Sequence, residues 1–163
     1  MCEKHGLGRS IRFRTARLES PLHSGYYRLY FRVTIGYPLD RFMLFALLFF
    51  LLATHSLMDF ALQSDAIATC KCRNSTNPVA KFVPWYYWLT AHAVLHGAAV
   101  GVVVRWFGFS WDAVAVLAYS EAIIHWWTDF GKCSKWYGIH FDQSVHVVCR
   151  LTWFTLLATE VLK

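Results

Sequence analysis

Four stretches of about 20 residues, roughly Phe42–Gln63, Trp85–Phe107, Trp111–Phe130 and Asp142–Leu162, are dense in Leu, Val, Phe and Trp. At 1.5 Å per residue, about 20 apolar residues cross the ~30 Å hydrocarbon core of a bilayer. The first stretch is the clearest, since Phe42 through Ala53 contains no polar residue. At a few tenths of a kcal/mol for each Leu and Phe, that run outweighs the roughly 3 kcal/mol cost of Asp59. Glu121 and Arg150 lie near the middle of the last two stretches. They fit a membrane span only by facing other helices rather than lipid. The composition agrees: 56% hydrophobic, 18% aromatic and only 16% charged, against about 25% charged in a soluble domain.

Aromatic residues mark the ends of the stretches. Trp85, Tyr86, Tyr87 and Trp88 open the second, Trp106 and Trp111 bracket a short loop, and Trp136 with Tyr137 falls in the third loop. Such rings favour the headgroup layer, where an apolar body and a wet N–H or O–H are both satisfied. The connection Gly108–Ser110 is too short for anything but a tight antiparallel helix turn. Residues 42–163 therefore read as one all-α domain, an integral membrane four-helix up-down bundle.

Residues 1–41 differ. Lys4, Arg9, Arg12, Arg14, Arg17, Arg28, Arg32 and Arg41 are opposed only by Glu3, Glu19 and Asp40. The basic region is too long for a secretory signal, and it suits an anionic lipid surface. An unstructured tail, or an upstream extension with translation starting at Met43, fits it equally well. Nothing in the chain points to a specific nucleic acid. Orientation stays open, because the first loop carries Lys71, Arg73 and Lys81 and the third Lys132 and Lys135. Cys70, Cys72 and Cys133 share one side of the bundle and read as incidental thiols rather than as a metal site or a disulfide. Asn74-Ser75-Thr76 fits a glycosylation sequon, relevant only in a eukaryotic secretory route.

Each stretch carries ionisable residues four apart: His55/Asp59, His92/His96, His125/Asp129 and Asp142/His146. Residues at that spacing stack on one helix face. Glu121, His125 and Asp129 form one such ridge, and Asp142, His146 and Arg150 another. Helix direction alternates, so pairs late in stretches one and three meet pairs early in two and four. All eight then share the half of the bilayer that faces loops one and three. Ionisable groups inside hydrocarbon are costly, rare and usually functional.

Imidazole and carboxylate are ligands for zinc, iron and manganese, and a catalytic site needs about three of them plus an open position. His55, Asp59, His92, His96, His125, Asp142 and His146 are the candidate ligands of a divalent metal, zinc first, with iron or manganese as alternatives. Glu121 and Asp129 are candidate general bases. Lys71 and Lys132, placed where the bundle opens to water, and Gln63 and Gln143 are candidates for holding substrate. Singly, each pair reads better as packing: His92/His96 as helix contact, the His/Asp pairs as intrahelical hydrogen bonds, Gln63 and Gln143 as interhelical glue. Arg150 reads as a counter-ion for Glu121 or Asp142. Together at one depth, the groups favour a metal over a metal-free proton path.

The ordered set His55-Ser-Leu-Met-Asp59-Phe60-Ala-Leu-Gln63, Lys71, His92-x-x-x-His96, His125-x-x-x-Asp129-x-x-Lys132 and Phe141-Asp142-Gln143-x-x-His146 resembles a family of small bacterial and phage membrane proteins. That family is designated domain of unknown function 3307, and the likeness covers about residues 42–162. It implies a polytopic membrane protein in bacteria or their viruses and implies no activity; the expected location is a bacterial inner membrane. The basic arm and the Cys-x-Cys depart from the family pattern.

The expected function is a membrane-embedded, divalent-metal-dependent hydrolase acting on a lipid or lipid-linked substrate. The alternatives are a small transporter or channel for protons or metal ions, which with four helices needs a homo-oligomer, an oxygen-activating di-iron enzyme, and a non-catalytic membrane interaction protein.

Overall fold

A computed structural model describes residues 39–162. Residues 1–38, most of the basic arm, lie outside it. Every described element is helical: α1 (Arg41–Ser56), continued by a π-helical turn (Leu57–Ala61), a short α2 (Asp65–Cys70), a 3-10 turn (Pro78–Lys81), α3 (Trp85–Trp106), α4 (Trp111–Cys133) and α5 (Ile139–Ala158).

Local chemistry sets the helix starts. The Asp40, Ser64 and Ser110 side chains accept hydrogen bonds from the backbone N–H of Met43, Ile67 and Ala113, one donor at each helix start that would otherwise be orphaned. Pro84 precedes α3 and holds an extended conformation. The α3–α4 turn closes at Gly108, whose φ of 86° suits a residue without Cβ. Two sequence boundaries shift. The last helix begins at Ile139, so Asp142 stands in its first turn, and the first loop contains α2 and the 3-10 turn rather than plain coil.

Packing runs α1–α3, α3–α4, α4–α5 and α5–α1, which closes a ring, and the α3–α4 contact is the most extensive. The interior divides into two halves. Near the α3–α4 turn, Leu47, Leu51, Val100, Val104, Leu117 and Leu157 form a buried apolar cluster. Towards the other end the buried side chains are His55, Asp59, His92, His96, His125, Asp129, Asp142 and His146. The outer faces are the reverse: Phe45 is 73% exposed, Val102 67% and Ile123 59%. Two helices, Arg41–Ala61 and Trp85–Trp106, are long and apolar enough to cross a membrane.

The α3–α4 seam rests on Gly97 and Gly101. A Cβ built on Gly97 would lie 2.5 Å from the Ala118 carbonyl oxygen and 3.0 Å from the Ala122 Cβ. The small-xxx-small spacing lets the two backbones touch, and Trp126 Nε1 donates to Thr90 Oγ1 at 3.1 Å across the same seam. Gly97→Ala is therefore expected to destabilise by about 1–3 kcal/mol through overpacking. The exposed neighbour provides a control: Ala98→Val should leave the thermal midpoint in detergent unchanged.

Candidate metal centre

The site begins where α1 loosens. Residues Leu57–Ala61 form a π-turn, closed by the Leu62 N–H on the Leu57 carbonyl at 2.8 Å. Such wide turns recur at functional positions, and this one carries Asp59 into the ring of helices. Asp59 Oδ1 lies 3.2 Å from His92 Nε2, 3.1 Å from His96 Nε2 and 3.8 Å from His125 Nε2. One carboxylate oxygen thus faces three imidazoles from α3 and α4. Its other oxygen accepts from Gln143 Nε2 at 2.8 Å and lies 3.7 Å from His55 Nε2. Gln143 Oε1 is 3.1 Å from that same His55 nitrogen, so the glutamine ties α5 to α1.

The imidazoles also crowd one another. The His96 and His125 rings stack with centroids 3.6 Å apart, and His125 and His146 with centroids 4.2 Å apart. Yet His96 Nε2, His125 Nε2 and His146 Nε2 are buried without a hydrogen-bond partner among the described residues. The Asp59 oxygen 3.1 Å from His96 Nε2 is close but misaligned for a hydrogen bond. Leaving such atoms unsatisfied costs about 1–3 kcal/mol apiece. A cation accepting their lone pairs would remove that cost.

The distances fit one. Three overlapping groups have ligand atoms within 4.8 Å of one another: Asp59 with His92, His96 and His125; His55 with His125 and His146; and Asp59 with Asp142 and His146. The nitrogen–oxygen separations around Asp59 Oδ1, 3.1–3.8 Å, bracket the ~3.3 Å ligand–ligand edge of a tetrahedron with 2.0 Å bonds. These buried His/Asp clusters could hold a metal ion.

Two lysines cap the cluster on the side of loops one and three. Lys71 Nζ meets Asp129 Oδ2 at 2.5 Å, and Lys132 Nζ meets Asp129 Oδ1 at 2.5 Å and Asp142 Oδ2 at 2.8 Å. With its amide turned to satisfy both neighbours, Gln63 accepts from Lys71 Nζ at 3.0 Å and donates to the Asp59 carbonyl at 3.1 Å. The sequence places Lys71 at a watery opening, but it is 2% exposed while Lys132 is 22% exposed. The reason is that α2 folds the loop back over the cluster. Burial pushes the Lys71 ammonium below the usual lysine range, against the opposing pull of Asp129.

The loop is also fastened covalently. Cys72 and Cys133 form a disulfide, with Cα atoms 4.9 Å apart. The reading of these two cysteines as incidental thiols is corrected. Spacing alone carries no sign of the pair, because 61 residues separate them. Cys70 stays free and buried.

Beneath the cluster, Arg150 Nη1 pairs with Glu121 Oε2 at 2.9 Å, and Trp153 Nε1 donates to the same oxygen at 2.8 Å. Glu121 Oε1 is 3.8 Å from His125 Nδ1. Of the two counter-ions the sequence offers Arg150, Glu121 is the one it meets. Trp153 escaped the sequence reading, although it extends the ridge Asp142, His146, Arg150 by one further turn.

All thirteen residues singled out by the sequence lie in this one network of contacts. Glu121 differs from the rest in facing the ring of histidines from below, already held by Arg150 and Trp153. Neither a curated protein nor a solved structure matches the chain. The family model described as "Protein of unknown function (DUF3307)" matches residues 47–162, from within α1 to the last described residue, and the chain belongs to that family.

Proposed function

We propose that the protein is an integral membrane four-helix bundle that holds a divalent metal, zinc first, and hydrolyses an anionic lipid or lipid-linked substrate. The observation that carries the reading is the set of buried, unpartnered imidazole nitrogens grouped around Asp59. The inside-out polarity supports the membrane placement. α4 and α5 turn Glu121, Asp129, Asp142 and Arg150 inward, each at most 1% exposed. Their outer faces present Val116, Tyr119, Ile123, Trp127, Val148 and Leu151. A water-soluble protein of this size would not expose so continuous an apolar surface.

Charge balance supports an anionic substrate. Asp59, Asp129 and Asp142 bring three negative charges, and Lys71 and Lys132 return two. The Glu121–Arg150 pair cancels itself. A divalent cation leaves the site with one positive charge in excess, which an anion such as a phosphate or carboxylate would neutralise. When bound, the metal polarises a substrate oxygen and lowers the pKa of water.

The chain's own residues fill the remaining roles. Asp129 belongs to none of the three ligand groups and is assigned the proton of the attacking water, which its Oδ1 takes once Lys132 turns from it to the head group. Lys132, the partly exposed lysine, is placed to meet an arriving head group. Gln63 and Gln143 fix Lys71 and His55. Glu121 is a positioning residue here rather than a base, since it lies beneath the histidine ring with its Oε2 held by Arg150 and Trp153. The basic arm is proposed to lie on an anionic leaflet.

Elemental analysis of protein purified in mild detergent tests this reading. About one or two equivalents of zinc, iron or manganese are expected, falling to background in a His92→Ala/His125→Ala double variant. A wild-type protein without metal under gentle purification sinks it. Metal without turnover of any lipid, together with ion flux in proteoliposomes, would favour transport instead.

A further inference from the structure

The Cys72–Cys133 disulfide carries an inference about which way the site faces, and it rests on the membrane reading above. Counted over the whole chain, the N-terminal segment, the α3–α4 turn and the C-terminus carry the eight basic residues of the arm plus Arg105 and Lys163. The opposite side carries Lys71, Arg73, Lys81, Lys132 and Lys135. The bias is real, but its weight sits in the distant part of the arm, and residues near the spans dominate orientation. Restricted to Arg28, Arg32, Arg41, Arg105 and Lys163, the two sides tie at five each.

The disulfide breaks the tie. It joins loop one to the end of α4, on the same side as the lysine-capped end of the site. Disulfides form and persist in oxidising compartments and are rare where glutathione and thioredoxin keep thiols reduced. Its two cysteines directly follow Lys71 and Lys132 in the chain, the residues that grip Asp129. Both of those lysines contact carboxylates of the site, which leaves Arg73, Lys81 and Lys135 as the other Lys and Arg residues of that side. We infer that loops one and three lie on the extracytoplasmic side, that both ends of the chain are cytoplasmic, and that the site works on head groups of the outer leaflet.

Cysteine mapping in bacterial spheroplasts tests the inference on the full-length chain. Thr76 in loop one and Asp112 at the start of α4 are both exposed and lie on opposite sides. Thr76→Cys is expected to react with a membrane-impermeant maleimide in intact spheroplasts, and Asp112→Cys only after lysis. A fluorescent reporter fused after Lys163 should fluoresce, and alkaline phosphatase fused there should be inactive. The opposite labelling pattern, in protein that resists alkaline extraction, overturns the orientation while leaving the membrane reading intact. Release by alkaline extraction overturns the membrane reading itself. Rapid acid trapping followed by alkylation provides a check that needs no added cysteine: Cys72 and Cys133 should be found oxidised in cells, and finding them as thiols counts against the inference.

Discussion

Asp59→Asn is expected to abolish metal retention while leaving the helices in place. The change preserves shape and removes one charge from the oxygen that three imidazoles face at 3.1–3.8 Å. Asp59 also appears in two of the three ligand groups. Even outer partners of metal ligands cost 10–100-fold in affinity, so loss of this group should cost at least ~100-fold. Titration with zinc, followed by calorimetry and by elemental analysis after desalting, reads the effect. Gln143 can still hydrogen-bond the new amide, so unfolding temperature without metal should change little. Undiminished zinc affinity in this variant would remove Asp59 from the centre of the site.

The second large effect is on stability. Arg150 is fully buried and paired with Glu121. Arg150→Met leaves a carboxylate in a low-dielectric interior with only Trp153 as donor. Breaking one partner of a buried pair costs about 3–5 kcal/mol. Arg150→Met combined with Glu121→Leu should recover most of that loss, because no charge then remains to be solvated. Unfolding in mixed micelles with rising SDS measures both variants. The two sites touch, so non-additivity is the expected signature. A single variant as stable as wild type would show that Glu121 is protonated or solvated in the fold.

Much of this was legible in the chain. Ionisable residues four apart, in helices of alternating direction, locate His92, His96, His125, Asp129, Asp142 and His146 in one layer, because a helix repeats its face at that spacing. The helical class followed from hydropathy runs. What the spacing could not carry was anything set by irregular backbone or by distant pairing. The π-turn at Leu57–Ala61 breaks the regular period that the His55/Asp59 reading assumes. The burial of Lys71 depends on α2 folding back, a tertiary event with no local sign. The Cys72–Cys133 bond spans two loops, and three cysteines on one side leave the pairing open. Gly97 and Gly101 did have a signal in their four-residue spacing, but it is hidden in a run of Ala and Val.

The close seam between α3 and α4 has a consequence for assembly. That hairpin alone supplies His92, His96 and His125, so a half-built cradle of three imidazoles exists as soon as those two rods meet. α1 then contributes Asp59 and α5 contributes His146 through thinner interfaces. On the metal reading proposed above, a cation seated in that cradle would add its own ligand bonds to the interfaces by which α1 and α5 already dock.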